Sequence, residues 1–364
     1  MNGWCGRLLS VDLTSGRISI EPITAELLQT YLGGRGLGVR MFRDFYQLDP
    51  FAKETPLIFA VGPLCGTASP TSARLSVVSR SPLTGTIYDC SAGGRFAWRL
   101  KAAGFDAVKI SGQSKSPVVL SMTPDGGVLL PAEKLWGLSI KETVQALSGR
   151  GSVAAIGPAG ENRVLFANIM MGEGNAVGRG GLGAVMGAKQ LKALTVDGDR
   201  KYEPLDRPRF EHARKDIMRL FRASPVIFGD LGIAEYGTPA LVDLMAQRRM
   251  APTENFRKTV FAKSGQYSGP AIKRTYKPKK DGCYACPIQC KKSTQDGVPL
   301  PEYETVSHFG ALNGIDDLRS IVNSNTLCNQ LGMDTISAAV TLASWGELRS
   351  EFLRAEEVGT LLND

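Results

Sequence analysis

Near residue 200 the hydrophobic period of the chain changes, and that change governs what it can fold into. Ahead of it, apolar residues recur at alternate positions. Leu9, Val11 and Leu13 precede a Thr14-Ser15-Gly16 turn, and Ile18, Ile20 and Ile23 follow it. Strand side chains point alternately to the two faces, so residues 7–23 read as a hairpin. Further strand candidates are Leu57 to Val61, Leu75 to Val78, Ala107 to Ile110, Val153 to Ile156 and Val164 to Ile169. Pro117 to Leu130 reads as two β-rich runs around Pro124-Asp125-Gly126-Gly127. Few helices interrupt them. One runs through Leu27, Leu28 and Tyr31 and stops at Gly33-Gly34-Arg35-Gly36-Leu37-Gly38. Another spans Phe96 to Ala103 and stops at Gly104, and Ser139-x-x-Glu142 reads as a capping box. Past Asp197-Gly198-Asp199-Arg200 and Pro204 the spacing turns helical, in Ile217, Leu220 and Phe221, in Leu241, Leu244 and Met245, and again from Asp317 to Leu353. The expectation is an α+β chain: a strand-rich N-terminal domain over residues 1–205, then a mainly α-helical domain over 206–364.

With 364 residues, 43% of them hydrophobic and 21% charged, the chain has the composition of a globular protein rather than a disordered one. Its net charge of +8 suits an acidic ligand or an acidic protein partner. The basic residues are scattered. The one short cluster, Lys277-Pro278-Lys279-Lys280, reads as a solvated loop, so no nucleic-acid partner is expected. No stretch approaches the roughly 18 apolar residues of a membrane span. Met1-Asn2-Gly3-Trp4-Cys5-Gly6-Arg7 shows no apolar signal core, so a cytoplasmic protein is expected. In that compartment the seven cysteines read as thiols or metal ligands. Two histidines, His212 and His308, are too few for a multi-histidine metal site.

The sharpest chemical signal is Cys283-Tyr-Ala-Cys286-Pro-Ile-Gln-Cys290. Three thiolates at this spacing can wrap one cubane, each bound to its own iron, but a fourth ligand is needed. Zinc is the rival, since it also accepts four thiolates. The later Cys328 stands alone, and Cys5, Cys65 and Cys90 read as packed thiols. Gly178-Arg179-Gly180-Gly181-Leu182-Gly183 fits G-x-G-x-x-G. A dinucleotide site needs a strand directly before it, and Met171-Gly172-Glu173-Gly174-Asn175 intervenes. A backbone cradle for some other phosphate is the better functional reading. Glu302 and Glu304, taken as alternating residues of an extended segment, point to one side. Read alone they are solvated loop carboxylates, and His308 is structural. Asn329-Gln330-Leu331-Gly332-Met333-Asp334 reads as a helix terminus.

Assembled, these pieces resemble the aldehyde:ferredoxin oxidoreductase family, the tungstopterin enzymes, over nearly the whole chain. The resemblance is carried by Gly33-Gly34-Arg35-Gly36-Leu37, Gly62-Pro63-Leu64-x-Gly66-Thr67, Ser81-Pro82-Leu83-Thr84-Gly85 and Ile156-Gly157-Pro158-Ala159-Gly160-Glu161-Asn162. It continues through Gly178-Arg179-Gly180-Gly181-x-Gly183-Ala184-Val185-Met186-Gly187, the cysteine motif and Pro301-Glu302-Tyr303-Glu304. The resemblance implies that the N-terminal domain is a base for two pterins chelating one tungsten, with molybdenum the alternative metal. Arg74, Ser91, Gly93, Asn175, Ala176 and Gly178 would contact pterin. The carbonyls of Ser91 and Ala176 would hold a magnesium ion between the pterin phosphates. Cys283, Cys286 and Cys290 would hold a [4Fe-4S] cluster. Asn329, Met333 and Asp334 match a pterin motif in which the family expects an acid at position 329. Glu304, with Glu302 in reserve, would be the acid near tungsten. The implied reaction oxidises an aldehyde to a carboxylic acid and sends electrons through the cluster to ferredoxin or another electron-transfer protein.

The resemblance also implies a longer protein. The family continues into a third helical domain, with a fourth cluster cysteine, a second pterin motif and a histidine near tungsten, none of which has a counterpart here. The expectation is that this chain supplies part of a site, as half of a split enzyme, an interrupted gene product or an excised piece. A separate C-terminal chain would complete it, in a homo- or hetero-oligomer. The competing readings are a non-catalytic scaffold subunit, a reductase of the benzoyl-CoA type, and a zinc-stabilised binding module.

Overall fold

The computed structural model describes residues 3–364; Met1 and Asn2, the start of the stretch read above for a signal core, lie outside them. The chain divides into two compact units. The first comprises Met1–Arg214, Cys283–Cys286 and Gln330–Met333, and the second comprises Lys215–Gly282, Pro287–Asn329 and Asp334–Asp364. Strands come first and helices second, as the periods predict.

The first unit is built on two six-stranded sheets. One holds β1 (Arg7–Asp12), β2 (Arg17–Pro22), β3 (Leu57–Val61), β4 (Leu75–Arg80), β5 (Ile87–Ala92) and β6 (Ala107–Ser111), in the order β2-β1-β6-β3-β4-β5. The other holds β7 (Val118–Thr123), β8 (Gly126–Pro131), β9 (Ser152–Ala155), β10 (Ile169–Met171), β11 (Asn175–Val177) and β12 (Leu191–Val196), in the order β11-β10-β9-β12-β7-β8. Pairing is antiparallel except between β1 and β6 and between β7 and β12. One core lies between the sheets. Leu9, Val11, Phe59, Val77 and Val108 enter it from the first, and Leu120, Ile169, Val177 and Leu194 from the second.

Both outer faces are covered as well. β3 is buried at every position: its odd residues enter the inter-sheet core, while Ile58 and Ala60 face outward clusters that include Leu28, Leu37 and Phe42. A strand covered on both faces reads as a continuous apolar run. Helix Ile140–Ala146, with the expected Ser139–Glu142 capping box, covers the second sheet through Ile140.

Two segments depart from the pattern their sequence predicts. Gly33 to Gly38 is not simply a stop. After Ala25–Tyr31 ends, Gly34–Phe42 forms a second helix, because close approach outweighs glycine's poor helix propensity. A Cβ on Gly38 would lie 2.7 Å from Val78 Cγ2, and one on Gly36 2.7 Å from the Tyr31 carbonyl oxygen. Val164 to Asn168 forms turns and an isolated bridge, and the strand begins only at Ile169.

The second unit is helical, apart from a hairpin of β13 (Lys279–Asp281) and β14 (Lys291–Ser293). Helices Tyr303–Phe309 and Thr335–Leu348 are tied by Thr305 and Thr335, whose hydroxyls lie 2.8 Å apart. Tyr267, Val306, Phe309, Leu312, Ile321 and Ala339 are buried. Among the described residues no helix is long and apolar enough to cross a membrane.

Candidate functional site

In the first unit, several residues expected at the cofactors meet. β4 and β5 pair with Ser76 opposite Ser91, and the two hydroxyls share a 3.0 Å hydrogen bond. Arg74 donates from Nη2 to the Ser91 carbonyl at 3.1 Å. Beyond Ala92, β5 runs into Gly93-Gly94, where the backbone meets Cys283. The Gly94 N–H donates to Cys283 Sγ at 3.2 Å, and a Cβ on Gly93 would lie 2.3 Å from that sulfur. Asn175 approaches the same two glycines, its Oδ1 3.5 Å from a Gly93 Cβ and its Nδ2 3.0 Å from a Gly94 Cβ. The β10–β11 hairpin sets its register, with Met171 opposite Asn175 and Met170 opposite Ala176. Gly93, Asn175 and Cys283 therefore converge, with Ser91 and Ala176 close along their strands.

The cysteine loop carries strain. The Cys286 N–H closes a turn on the Cys283 carbonyl at 3.1 Å. Ala285 (φ 55°) and Gln289 (φ 48°) are left-handed, each just ahead of a cysteine. That conformation costs a residue with a Cβ roughly 1–2 kcal/mol, and such strain concentrates at ligand-binding turns. The Tyr284 ring stacks on Trp98 at 4.5 Å. Among the described residues no disulfide forms, and no three Cys, His, Asp or Glu side chains are gathered at metal-binding distances.

The remaining cysteines fit packed thiols. Cys65 is buried and its pKa is pushed up to about 12 by desolvation. Burial also raises the thiols of Cys5 and of fully buried Cys328, which disfavours the thiolate a ligand needs.

Packing explains most of the glycine loop. Gly180 (φ 83°) and Gly181 (φ 74°) are left-handed. A Cβ there would lie 2.3 Å from the Tyr88 ring and 2.0 Å from the Leu165 carbonyl oxygen, and one on Gly183 would lie 2.2 Å from that of Asn168. Gly178 differs: a Cβ would meet nothing closer than Ala176 Cβ at 4.0 Å. Of this loop's glycines it alone has room beside it.

Met333 bridges to Ala167. Asn168 ties itself there, its Nδ2 donating to the Met333 carbonyl and its backbone N–H to that of Gly332, both at 2.8 Å. Yet Asn168 is 2% exposed, and its Oδ1 finds no hydrogen-bond partner among the described residues.

In the second unit, Glu302 and Glu304 do not lie on an extended segment. Glu302 is the N-cap residue of helix Tyr303–Phe309, and Glu304 stands in its first turn. Thr238 Oγ1 accepts the Tyr303 N–H at 2.9 Å, satisfying one donor of that turn. The Glu302 carboxylate pairs with Lys291 at 2.5 Å, whereas Glu304 is exposed. His308 Nδ1 lies 2.6 Å from the Glu304 carbonyl oxygen. The Asp334 carboxylate caps helix Thr335–Leu348, accepting from the N–H groups of Ile336 and Ser337 at 3.1 Å each. Asn329 is half-buried near the end of helix Leu318–Leu331.

Residues 8–198 match the family described as aldehyde ferredoxin oxidoreductase, N-terminal domain, and residues 212–363 match its domains 2 and 3. The chain belongs to the aldehyde ferredoxin oxidoreductase family. It is 39% identical to the tungsten-containing aldehyde ferredoxin oxidoreductase of Thermococcus kodakarensis and 38% identical to that of Pyrococcus abyssi, over 99% of this chain and 61% of each relative. It therefore spans about three fifths of their length. Among solved structures it resembles the active site complex BamBC of benzoyl coenzyme A reductase in complex with 1,5-dienoyl-CoA. There the TM-score is 0.83 and the identity 27%, over 98% of this chain and 57% of that one.

Some of the residues present suit the cofactors that the family's name implies, although among the described residues the cysteines are not gathered at metal-binding distances. Three thiols within eight residues have the number and spacing that three of a cubane's four ligands need, and Gly93 leaves space at Cys283 that a Cβ would take. Gly178 has open space beside it. The buried Asn168 Oδ1 lacks a donor among the described residues, a cost of roughly 1–3 kcal/mol.

Three relevant residues escaped the sequence reading. Asn168 sits in no motif. Trp98 lies far from Tyr284 in sequence. Lys292 belongs to a Lys-Lys pair that reads as surface, yet it is buried and its pKa is lowered to about 8 by desolvation. Its place two residues after Cys290 was the available clue.

Proposed function

We propose that this chain is the pterin- and cluster-binding portion of an oxidoreductase that converts aldehydes to carboxylic acids and delivers the electrons to ferredoxin. The meeting of Gly93, Asn175 and the Cys283 thiol carries this reading, in a chain 38–39% identical to tungsten-containing aldehyde ferredoxin oxidoreductases. When bound, tungsten or molybdenum on two pterins would supply a two-electron acceptor, a [4Fe-4S] cluster a one-electron exit, and magnesium the neutralisation of pterin phosphates.

The chain's own residues have the following parts. Arg74 spends one donor on Ser91, and its guanidinium keeps others for a phosphate. The Ser91 carbonyl retains a second lone pair and, with that of Ala176, offers the hard oxygens magnesium prefers. Asn175, Gly178, Asn329, Met333 and Asp334 line the pterins, Gly93 leaves room at Cys283, and Cys283, Cys286 and Cys290 hold the cluster. Glu304 acts as general base, taking a proton from water or a hydrated aldehyde. Glu302 is second choice because Lys291 holds its carboxylate. Residues outside these 364 would supply the fourth cluster ligand and the rest of the pocket.

The test is elemental analysis of anaerobically purified protein for tungsten, molybdenum, iron and zinc. It is followed by aldehyde-dependent viologen reduction with and without a complementary C-terminal chain. Tungsten, four irons per cluster and aldehyde turnover in the complemented complex are expected. Iron without tungsten or turnover refutes the enzymatic reading and leaves a scaffold subunit. Zinc without iron refutes the cluster. A reductase of the benzoyl-CoA type is the second reading, favoured by the 0.83 TM-score to BamBC. Tungsten uptake with no aldehyde turnover, but with reduction of benzoyl coenzyme A by the complemented complex, would select it.

A further inference from the structure

We propose that Lys292 is a positioning residue for the iron–sulfur cluster: a buried cation that ties down the turn into Cys290 and sets the charge the cluster experiences. This rests on the cluster reading above. The cysteine motif occupies the connection between β13 and β14. Their antiparallel register puts Lys280 directly opposite Lys292. Like charges facing each other across a strand pair destabilise it. Lys292 is nevertheless 6% exposed. Its Nζ donates to the carbonyls of Gln289 at 2.8 Å and Ala234 at 3.3 Å, neither of them an anion. The nearby carboxylate of Glu235 is bonded to Lys273 and Lys280 instead.

Lysine is almost never fully buried unless an anion pairs with it. A surface hairpin gains nothing from burying one opposite another lysine. A hairpin that carries an anionic group at its tip does gain. Gln289, whose carbonyl the ammonium holds, is the left-handed residue immediately before Cys290. Gly237 closes over the same place: a Cβ there would lie 2.9 Å from the Cys290 carbonyl oxygen and 3.3 Å from Lys292 Cγ. A cluster's reduction potential follows its net charge, the hydrogen bonds to its sulfurs and its solvent exposure. The Lys292 charge acts on the first of these, and its grip on Gln289 fixes the ligand's approach.

The experiment uses the full chain, reconstituted anaerobically with iron, sulfide and a small thiol for the fourth coordination position. Wild type, Lys292→Met, Lys292→Arg, Glu235→Gln and Lys279→Met are compared. Iron and acid-labile sulfide are counted, and the midpoint potential is read by an EPR-monitored redox titration. Lys292→Met should hold less iron and be about tenfold harder to reduce, which for one electron is about 59 mV more negative. Lys292→Arg should return close to wild type. Glu235→Gln removes a nearby negative charge without altering Lys292, and should move the potential in the positive direction. Lys279→Met, on the exposed side of the hairpin, should leave it in place. A Lys292→Met potential equal to wild type overturns the proposal. If that variant loses its cluster, an unmoved Glu235→Gln potential does so. A wild-type chain that takes up zinc, or no iron, overturns the cluster reading itself and this inference with it.

Discussion

Replacing Asp106 with asparagine should destabilise the first unit by about 3–5 kcal/mol, the cost of breaking one partner of a buried ion pair. Lys101 and Asp106 are both fully buried, with Nζ 2.5 Å from Oδ1. The other carboxylate oxygen accepts the N–H groups of Cys5 and Gly6 at 2.8 and 2.7 Å, pinning the chain just ahead of β1. Tyr202 closes the cluster, its hydroxyl donating to the Lys101 carbonyl at 2.8 Å. Asparagine keeps the volume but leaves the ammonium in low dielectric with no counter-charge. For a unit of this size each kcal/mol moves Tm by roughly 2–4 °C, so the midpoint should fall by about 6–20 °C. Calorimetry of the full chain at neutral pH reads this directly. The double variant Lys101→Met/Asp106→Leu removes both charges and should recover part of the loss. Recovery stays partial because the Cys5 and Gly6 N–H groups lose their acceptor. A single-variant loss under about 1 kcal/mol, or a double variant no better than the single, refutes the reasoning.

Three further outcomes are expected. Gly93→Ala should cost about 1–3 kcal/mol by overpacking and displace Cys283, read as iron lost on reconstitution; full iron content in a folded variant contradicts it. Ala285→Gly should stabilise the metal-free chain by about 0.5–1 kcal/mol in urea unfolding, because left-handed strain exceeds glycine's extra chain entropy; a loss of stability contradicts it. Lys189 is buried with Nζ on the carbonyls of Lys53 and Gly112, and desolvation lowers its pKa to about 8 from 10.5. Above pH 8 the unfolded chain binds more protons there than the folded one, so this group makes stability rise with pH up to about 10.5. Desolvated Cys65 opposes it above pH 9, where an unfolded thiol ionises first. The wild type should therefore gain stability relative to Lys189→Met between pH 8 and 9 in urea titrations; parallel curves contradict it.

Local pattern was legible wherever neighbours in sequence are neighbours in space. Period-two alternation located the β1–β2 hairpin, the Pro124-Asp125-Gly126-Gly127 turn signal located β7–β8, Ser139 and Glu142 announced their capping box, and the cysteine spacing singled out the loop that meets Gly93 and Gly94. The order of strand-rich and helical units followed from the change of period alone. Long-range approach was not legible. Glycines at 36 and 38 look like a helix stop until Tyr31 and Val78 show why a Cβ is excluded there. Glu302 and Glu304 alternate on paper, but helix Tyr303–Phe309 turns them onto different tasks. Gly93 beside Cys283, Asn168 beside Met333 and Lys292 beneath Gln289 each depend on a pairing, register or burial that no window of sequence contains. Propensity and periodicity are properties of a segment. Desolvation and close contact belong to whatever the rest of the chain brings against it, and the tertiary structure alone decides those.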